Sequence, residues 1–198
     1  LNLPMQSLLT VVFFVAVLSA CASAPTQDMA DARIALRTAE EAGARERAGL
    51  LLTRAKRSLA EAEALLESGL YSDARTSARY AVRSALAARN VAEEIALAEH
   101  ELELAAQQNV EVAAARAAAA DAVAAAAAGE DEAAVRAARR AVDSARTEVN
   151  LSYLARARAL RQSCRDAATN ESDLAHADAE IARRRGAEAL EILQRSCP

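Results

Sequence analysis

The sequence predicts an all-α protein: an elongated antiparallel helical bundle with coiled-coil-like hairpins, one very long central helix and no β-sheet. Three observations carry that expectation. Alanine, the best helix former, supplies 56 of the 198 residues. No proline stands between Pro25 and Pro198, and the chain has only five glycines, so few positions force a break. The larger apolar residues recur at alternating spacings of three and four, the period of one helix face. They are scarce: the 178 positions after residue 20 hold 30 Leu, Ile and Val and no Phe, too few for a thick core. Against 24 Lys+Arg stand 28 Asp+Glu, a net charge of −4. This composition excludes a β protein, a compact α/β enzyme and a nucleic-acid binder driven by basic charge.

Five helices are expected in the following order. The first spans about Asp28 to Ala42, with Thr26 as its N-cap and Gly43 at its close. The second spans about Arg47 to Ser68, where Leu52, Ala55, Leu59, Ala62 and Leu66 share one stripe; Gly69 ends it and Ser72 caps the next. The third meets no stop signal between Ser72 and Ala128, a length of roughly 85 Å at 1.5 Å per residue. Its middle carries a heptad seam of Val91, Ile95, Ala98, Leu102, Ala105, Asn109 and Val112. A second copy could close a homo-oligomer on that seam, with Asn109 setting the register. Gly129 turns the chain into a fourth helix, antiparallel to the third and running to about Ala168. The segment Ala168 to Ser172 reads as a turn, and a fifth helix carries Leu174, Ile181, Ala189, Leu190 and Leu193.

Ahead of these helices lies an uncharged apolar run of eleven residues, Leu8 to Leu18. A bilayer span needs about 20 residues, so this run has instead the length of a signal-peptide core. Leu18-Ser19-Ala20-Cys21 follows at once. The combination resembles the lipobox of bacterial lipoproteins. The resemblance implies cleavage between Ala20 and Cys21, a diacylglyceryl thioether on Cys21 and acylation of the new N-terminus. Two or three acyl chains, at about 0.8 kcal/mol per buried CH₂, hold a protein durably on a membrane. In that class Ala22 after the cysteine resembles sorting to the outer membrane, which implies a lipid-anchored chain on its periplasmic face.

Between the second and third helices stands Leu65-Leu66-Glu67-Ser68-Gly69-Leu70-Tyr71-Ser72-Asp73-Ala74. It is similar to the Gly-x-Tyr-x-x-Ala turn of tetratricopeptide helices: glycine where the chain reverses, an aromatic over the hairpin, and alanine where helices touch. No second copy appears at the 34-residue period, so a repeat array is not expected. Leu65, Leu70 and Tyr71 are the candidate partner contacts. The stretch from Pro25 to Leu104 also resembles a family of Ala-rich, helical, exported bacterial lipoproteins carrying a domain of unknown function. The features that match are Ala32 to Gly43, Arg54-Ala55-Lys56 to Ala64, and Gly69-Leu70-Tyr71-x-x-Ala74-Arg75. The resemblance implies location and fold and carries no catalytic residue. The expected domains are a signal peptide at 1–20, a lipidated linker at 21–27, a helical hairpin domain at 28–104 and a helical extension at 105–198.

No reactive constellation accompanies these helices. His100 and His176 fall on different helices and form no i, i+4 ligand pair, so neither a metal site nor a catalytic residue is expected, and no cofactor. Charged residues alternate along helix faces, as in Arg33, Arg37, Glu40, Glu41 and Arg45, which reads as surface pairing. Asn170-Glu171-Ser172 fits a glycosylation sequon and reads equally as a turn. With Cys21 lipidated, Cys164 and Cys197 remain, a possible disulfide pair. A straight fifth helix would separate them by roughly 30 Å, beyond the ~7 Å Cα limit. A break at Gly186 would return Cys197 to reach; an intermolecular bridge or free thiols are the alternatives.

The functional expectation is a non-enzymatic envelope lipoprotein serving as structural spacer, tether or scaffold at the outer membrane. Its partners would be the membrane, through the lipid, and peptidoglycan held non-covalently or another envelope protein, with no nucleic acid. Covalent attachment through a C-terminal lysine is not expected, since the only lysine is Lys56. The alternatives are a helical adaptor that binds an envelope protein through the Tyr71 hairpin, and an accessory factor to a cell-wall enzyme. An adaptor should keep Leu50, Leu51, Leu65, Leu70 and Tyr71 exposed, and a spacer should bury them.

Overall fold

The computed structural model describes residues 24–164 and 171–197. Among these residues stand eight α-helices and no strand: α1 (Thr26–Glu41), α2 (Ala44–Arg47), α3 (Gly49–Glu67), α4 (Tyr71–Gln107), α5 (Ala113–Ala128), α6 (Asp131–Ser163), α7 (Glu171–Ala182) and α8 (Gly186–Ser196). The described chain is all-α. It forms two compact units that divide between Ala92 and Glu93, inside α4. The end of the expected hairpin domain at residue 104 falls within the second unit.

In the first unit, α1 and α3 run antiparallel. The pairs Arg33–Glu63 at 2.8 Å and Glu40–Lys56 at 2.5 Å show it, since one index rises as the other falls. Met29 of α1, Ala62 of α3 and Ala78 of α4 meet in a small apolar cluster flanked by Leu59 and Leu66. Ala74, Ala78, Ala81, Ala85 and Ala88 are buried along α4, and the unit also buries the larger Met29, Leu36, Leu51 and Leu52. Helix limits differ slightly from expectation. Thr26 is the first helical residue and Pro25 the N-cap, with no side-chain cap. Ala48, with φ −140°, interrupts the expected second helix, leaving the single turn α2 ahead of α3. α4 begins at Tyr71, one residue before the expected cap Ser72.

The second unit holds the rest of α4 with α5 to α8. Arg139 donates to Glu94 at 2.6 Å and Arg146 to Glu101 at 2.6 Å, both across 45 positions of sequence. A constant separation means that α4 and α6 run parallel, with α5 returning between them in sequence. α5 and α6 are joined through Gly129 and pack on Ala115, Ala122 and Ala126 against Ala134, Ala138 and Ala141.

Four helix ends in the described chain share one hydrogen-bond pattern. After α3, Leu70 N–H reaches Leu65 C=O at 2.9 Å and Gly69 N–H reaches Leu66 C=O at 3.0 Å. The same 6→1 and 5→2 bonds close α4 at Asn109, α5 at Gly129 and α7 at Arg184. The pattern needs a left-handed residue at its corner. Glycine supplies it at Gly69 (φ 75°) and Gly129 (φ 76°), whereas Asn109 (φ 54°) and Arg184 (φ 61°) adopt it as side-chain-bearing residues.

The corner at Asn109 overturns the continuous third helix. α4 stops at Gln107 and α5 starts at Ala113. Turning there lets Val110 and Val112 join Ala105, Ala115 and Ala145 in one cluster, burial that a straight helix would forgo. The expected heptad seam is corrected with it. Ile95, Ala98 and Ala105 are buried within this one chain, Val112 is buried beyond the turn, and Asn109 is exposed. The break divides the Val91–Val112 seam, with Leu102 partly buried and Asn109 at the corner.

Candidate functional site

Ala20 and Cys21 lie outside the described residues. No described helix is long and apolar enough to cross a membrane. Among the described residues no group of three His, Cys, Asp or Glu side chains could hold a metal ion. His100 is exposed on α4. His176 is exposed on α7, and its Nε2 stands 3.5 Å from Glu180. Of the sequon-like triplet, Asn170 lies outside the described residues and Glu171 opens α7.

At the α3–α4 turn, Leu70 is 51% exposed while Leu65 and Tyr71 are half-buried, and Ala74, Ala78 and Ala81 are fully buried along α4. Leu50 is exposed but Leu51 is buried, and both lie at the opposite end of α3 from Leu65. The five side chains thus do not form one patch: a small apolar corner at Leu65, Leu70 and Tyr71 remains.

Asp28 sits at the N-terminal turn of α1, where the helix dipole favours a carboxylate. Arg79 donates to it at 2.8 Å, and Arg75 stands at 3.3 Å. The Arg79 hydrogen bond, outweighing desolvation and joined by the charges of Arg79 and Arg75, holds the Asp28 carboxyl below its ordinary range. The hydrogen bond from Lys56 lowers Glu40 in the same way, with Arg45 adding to it. In the second unit, hydrogen bonds to Glu94 and Glu101 raise the Arg139 and Arg146 guanidinium groups. Each is an ion pair between helices.

The densest polar construction lies where the α7–α8 hairpin meets α6. Cys164, after α6, is joined by a disulfide to Cys197, after α8, with Cα atoms 5.7 Å apart. Asn150, in the interior of α6, uses both ends of its amide on the α7–α8 turn: Nδ2 donates to Arg184 C=O at 2.9 Å, and Oδ1 accepts from Gly186 N–H at 3.2 Å. Arg161 holds Asp178 with two hydrogen bonds, at 3.0 and 2.9 Å. Within the hairpin, Ser196 Oγ donates to Asp173 at 2.7 Å. Glu180 is 3% exposed, and its carboxylate accepts from Arg183 at 3.0 Å and Arg185 at 2.8 Å. Burying a carboxylate is tolerable only with such partners.

Gly186 departs from its expected part. The reversal needs the left-handed Arg184, and Gly186 is instead the first residue of α8. It is glycine because of close approach: a Cβ there would stand 2.6 Å from Leu154 N, 2.8 Å from Tyr153 Cβ and 2.9 Å from Asn150 O. Sequence reasoning passed over Asn150, Arg184 and Glu180. Asn150 left a faint signal, as a poor helix former inside a 33-residue helix. Arg184 and Glu180 left none, because an Arg-rich, Glu-bearing helix end resembles any solvated surface.

A cleft of about 260 Å³ lies beside this clamp, lined by Leu104, Gln108, Val149, Asn150 and Tyr153 among others. Its charged pair, Glu101 and Arg146, is engaged with itself, so the cleft offers apolar contact rather than acid–base chemistry. No protein-family model matches this sequence, and neither a curated protein nor a solved structure is similar enough to it to count as a match.

Proposed function

We propose that this chain is a non-enzymatic lipoprotein of the bacterial envelope, anchored through Cys21 to the periplasmic face of the outer membrane and serving there as a spacer, tether or scaffold. The single observation that carries the reading is Leu18-Ser19-Ala20-Cys21 directly after the apolar run Leu8–Leu18. The first described helix opens at Thr26, so the lipidated end would leave only a short linker before the folded part. Ion pairs that bind helix to helix, together with small alanine contacts, suit a part that supports rather than reacts. The test is metabolic labelling with radioactive palmitate in a Gram-negative host. The parent chain takes the label and Cys21→Ala does not; label retained on Cys21→Ala overturns the anchor.

A second reading, an adaptor for another envelope protein, is favoured by the corner at the α3–α4 turn, where Leu70 is 51% exposed beside Leu65 and Tyr71. Co-sedimentation of the Cys21→Ser chain with purified peptidoglycan sacculi separates the two. Retention in the pellet supports a non-covalent tether. A clean supernatant, together with a specific crosslink from Tyr71 to an envelope protein, supports the adaptor.

A further inference from the structure

We propose that the Cys164–Cys197 disulfide is a redox-operated latch on the C-terminal hairpin α7–α8, which a dithiol reductant opens so that the hairpin leaves α6 while the rest of the fold stays closed. The bridge ties the end of α6 to the end of α8, so the hairpin is the element it confines. Beneath the hairpin Leu174, Ala177, Ala189 and Leu193 are buried with Ala157 and Cys164, flanked by Leu160, Ile181, Leu190 and Ile192. The polar pins from α6 are Arg161 and the Asn150 amide, and pins of that kind are individually weak at a surface. By contrast, α5 packs on α6 with a short turn and no disulfide between them. The disulfide therefore adds to the packing and polar pins that hold this one hairpin, and adds little to what holds anything else. A link across a separation of 33 residues is worth about 500-fold in the closed-to-open ratio on the chain-entropy account.

The two sulfurs differ in access. Cys164 is 3% exposed whereas Cys197 is only partly buried, so a thiolate of the reductant attacks Cys197 Sγ. The Cys164–Cys197 bond breaks, its electron pair stays on Cys164 Sγ, and that sulfur takes a proton. The second thiolate of the dithiol then attacks the mixed disulfide, releases Cys197 as a thiol and leaves as the oxidised cyclic disulfide. Opening would uncover Ala157, Leu160 and Cys164 along one side of α6, an apolar strip covered in the bridged state.

Hydrogen exchange of the full chain, read by mass spectrometry before and after dithiothreitol, tests this. The amides of α7 and α8 are expected to exchange about 500-fold faster once the bond is reduced, with those of Ala134–Val142 and Ala32–Ala39 unchanged. The double variant Cys164→Ser/Cys197→Ser should match the reduced parent without reductant; if it does not fold, the parent ± dithiothreitol decides alone. Three results overturn the latch: hairpin protection unchanged by reduction, protection lost throughout the second unit at once, or a bond that the dithiol leaves intact in the folded protein.

Discussion

Substituting the two glycines that each open a helix, Gly49 of α3 and Gly186 of α8, makes a matched pair with opposite expected outcomes. At Gly186 an alanine Cβ would stand 2.6 Å from Leu154 N and 2.9 Å from Asn150 O, both backbone atoms of α6 that cannot swing aside. Reaching ordinary contact at 3.4 Å requires α8 to move off α6 by about 0.8 Å. A gap of that size forfeits about a quarter to a half of the dispersion across the contact, and overpacking typically costs about 1–3 kcal/mol. The same shift stretches the hydrogen bonds from Asn150 to Arg184 C=O and Gly186 N–H, worth about 1 kcal/mol each when intact. Against this, removing a glycine restricts the unfolded chain and returns about 0.4–1 kcal/mol. The net for Gly186→Ala is a loss of roughly 1–3 kcal/mol. At Gly49 nothing lies within 4 Å of the added methyl, so Gly49→Ala keeps the gain alone, about 0.4–1 kcal/mol. Thermal unfolding followed by circular dichroism reads both, at about 2–4 °C per kcal/mol for a chain of this size. A Gly186→Ala protein as stable as the parent would refute the close-approach argument.

Asn109→Gly and Arg184→Gly should each stabilise by about 0.5–1 kcal/mol, because φ 54° and 61° burden a residue with a side chain; urea midpoints below the parent's would contradict it. Leu193→Ala should lose about 2–5 kcal/mol by leaving a cavity under α8, measured by the same urea titration; a loss under 1 kcal/mol would mean that the hairpin is not packed there. The first unit should weaken in acid. Asp28 and Glu40 have folded values below their ordinary 3.8 and 4.5, so the folded state holds fewer protons than the unfolded state there. Their contribution is complete above those ordinary values, fades as pH falls past them and is gone below the folded values. Unfolding midpoints taken from pH 6 to pH 2 check this, with Asp28→Asn expected to flatten part of the decline.

Much of the all-α character is local. Alanine propensity, the 3/4 spacing and the glycines at 69 and 129 act within one or two turns of chain, so composition and period suffice to place α3, α6 and the turn at Gly129. The same holds for the lipobox-like Leu18 to Cys21, a motif of adjacent residues. What escaped is what a distant segment decides. The chain turns at Asn109, past the end of α4 at Gln107, because Val110 and Val112 are better buried against Ala145, a contact that no window around Asn109 contains. The parallel course of α4 and α6 rests on Glu94–Arg139 and Glu101–Arg146, partners 45 positions apart in a chain where most charges look alike. Gly186 signals a break in sequence, but only the backbone of Asn150 and Leu154 beneath it shows why a side chain is excluded there. Propensity and capping are free energies of neighbouring residues and are written in order along the chain. Burial and ion pairing belong to residues brought together across it, and for those the tertiary structure alone names the partner.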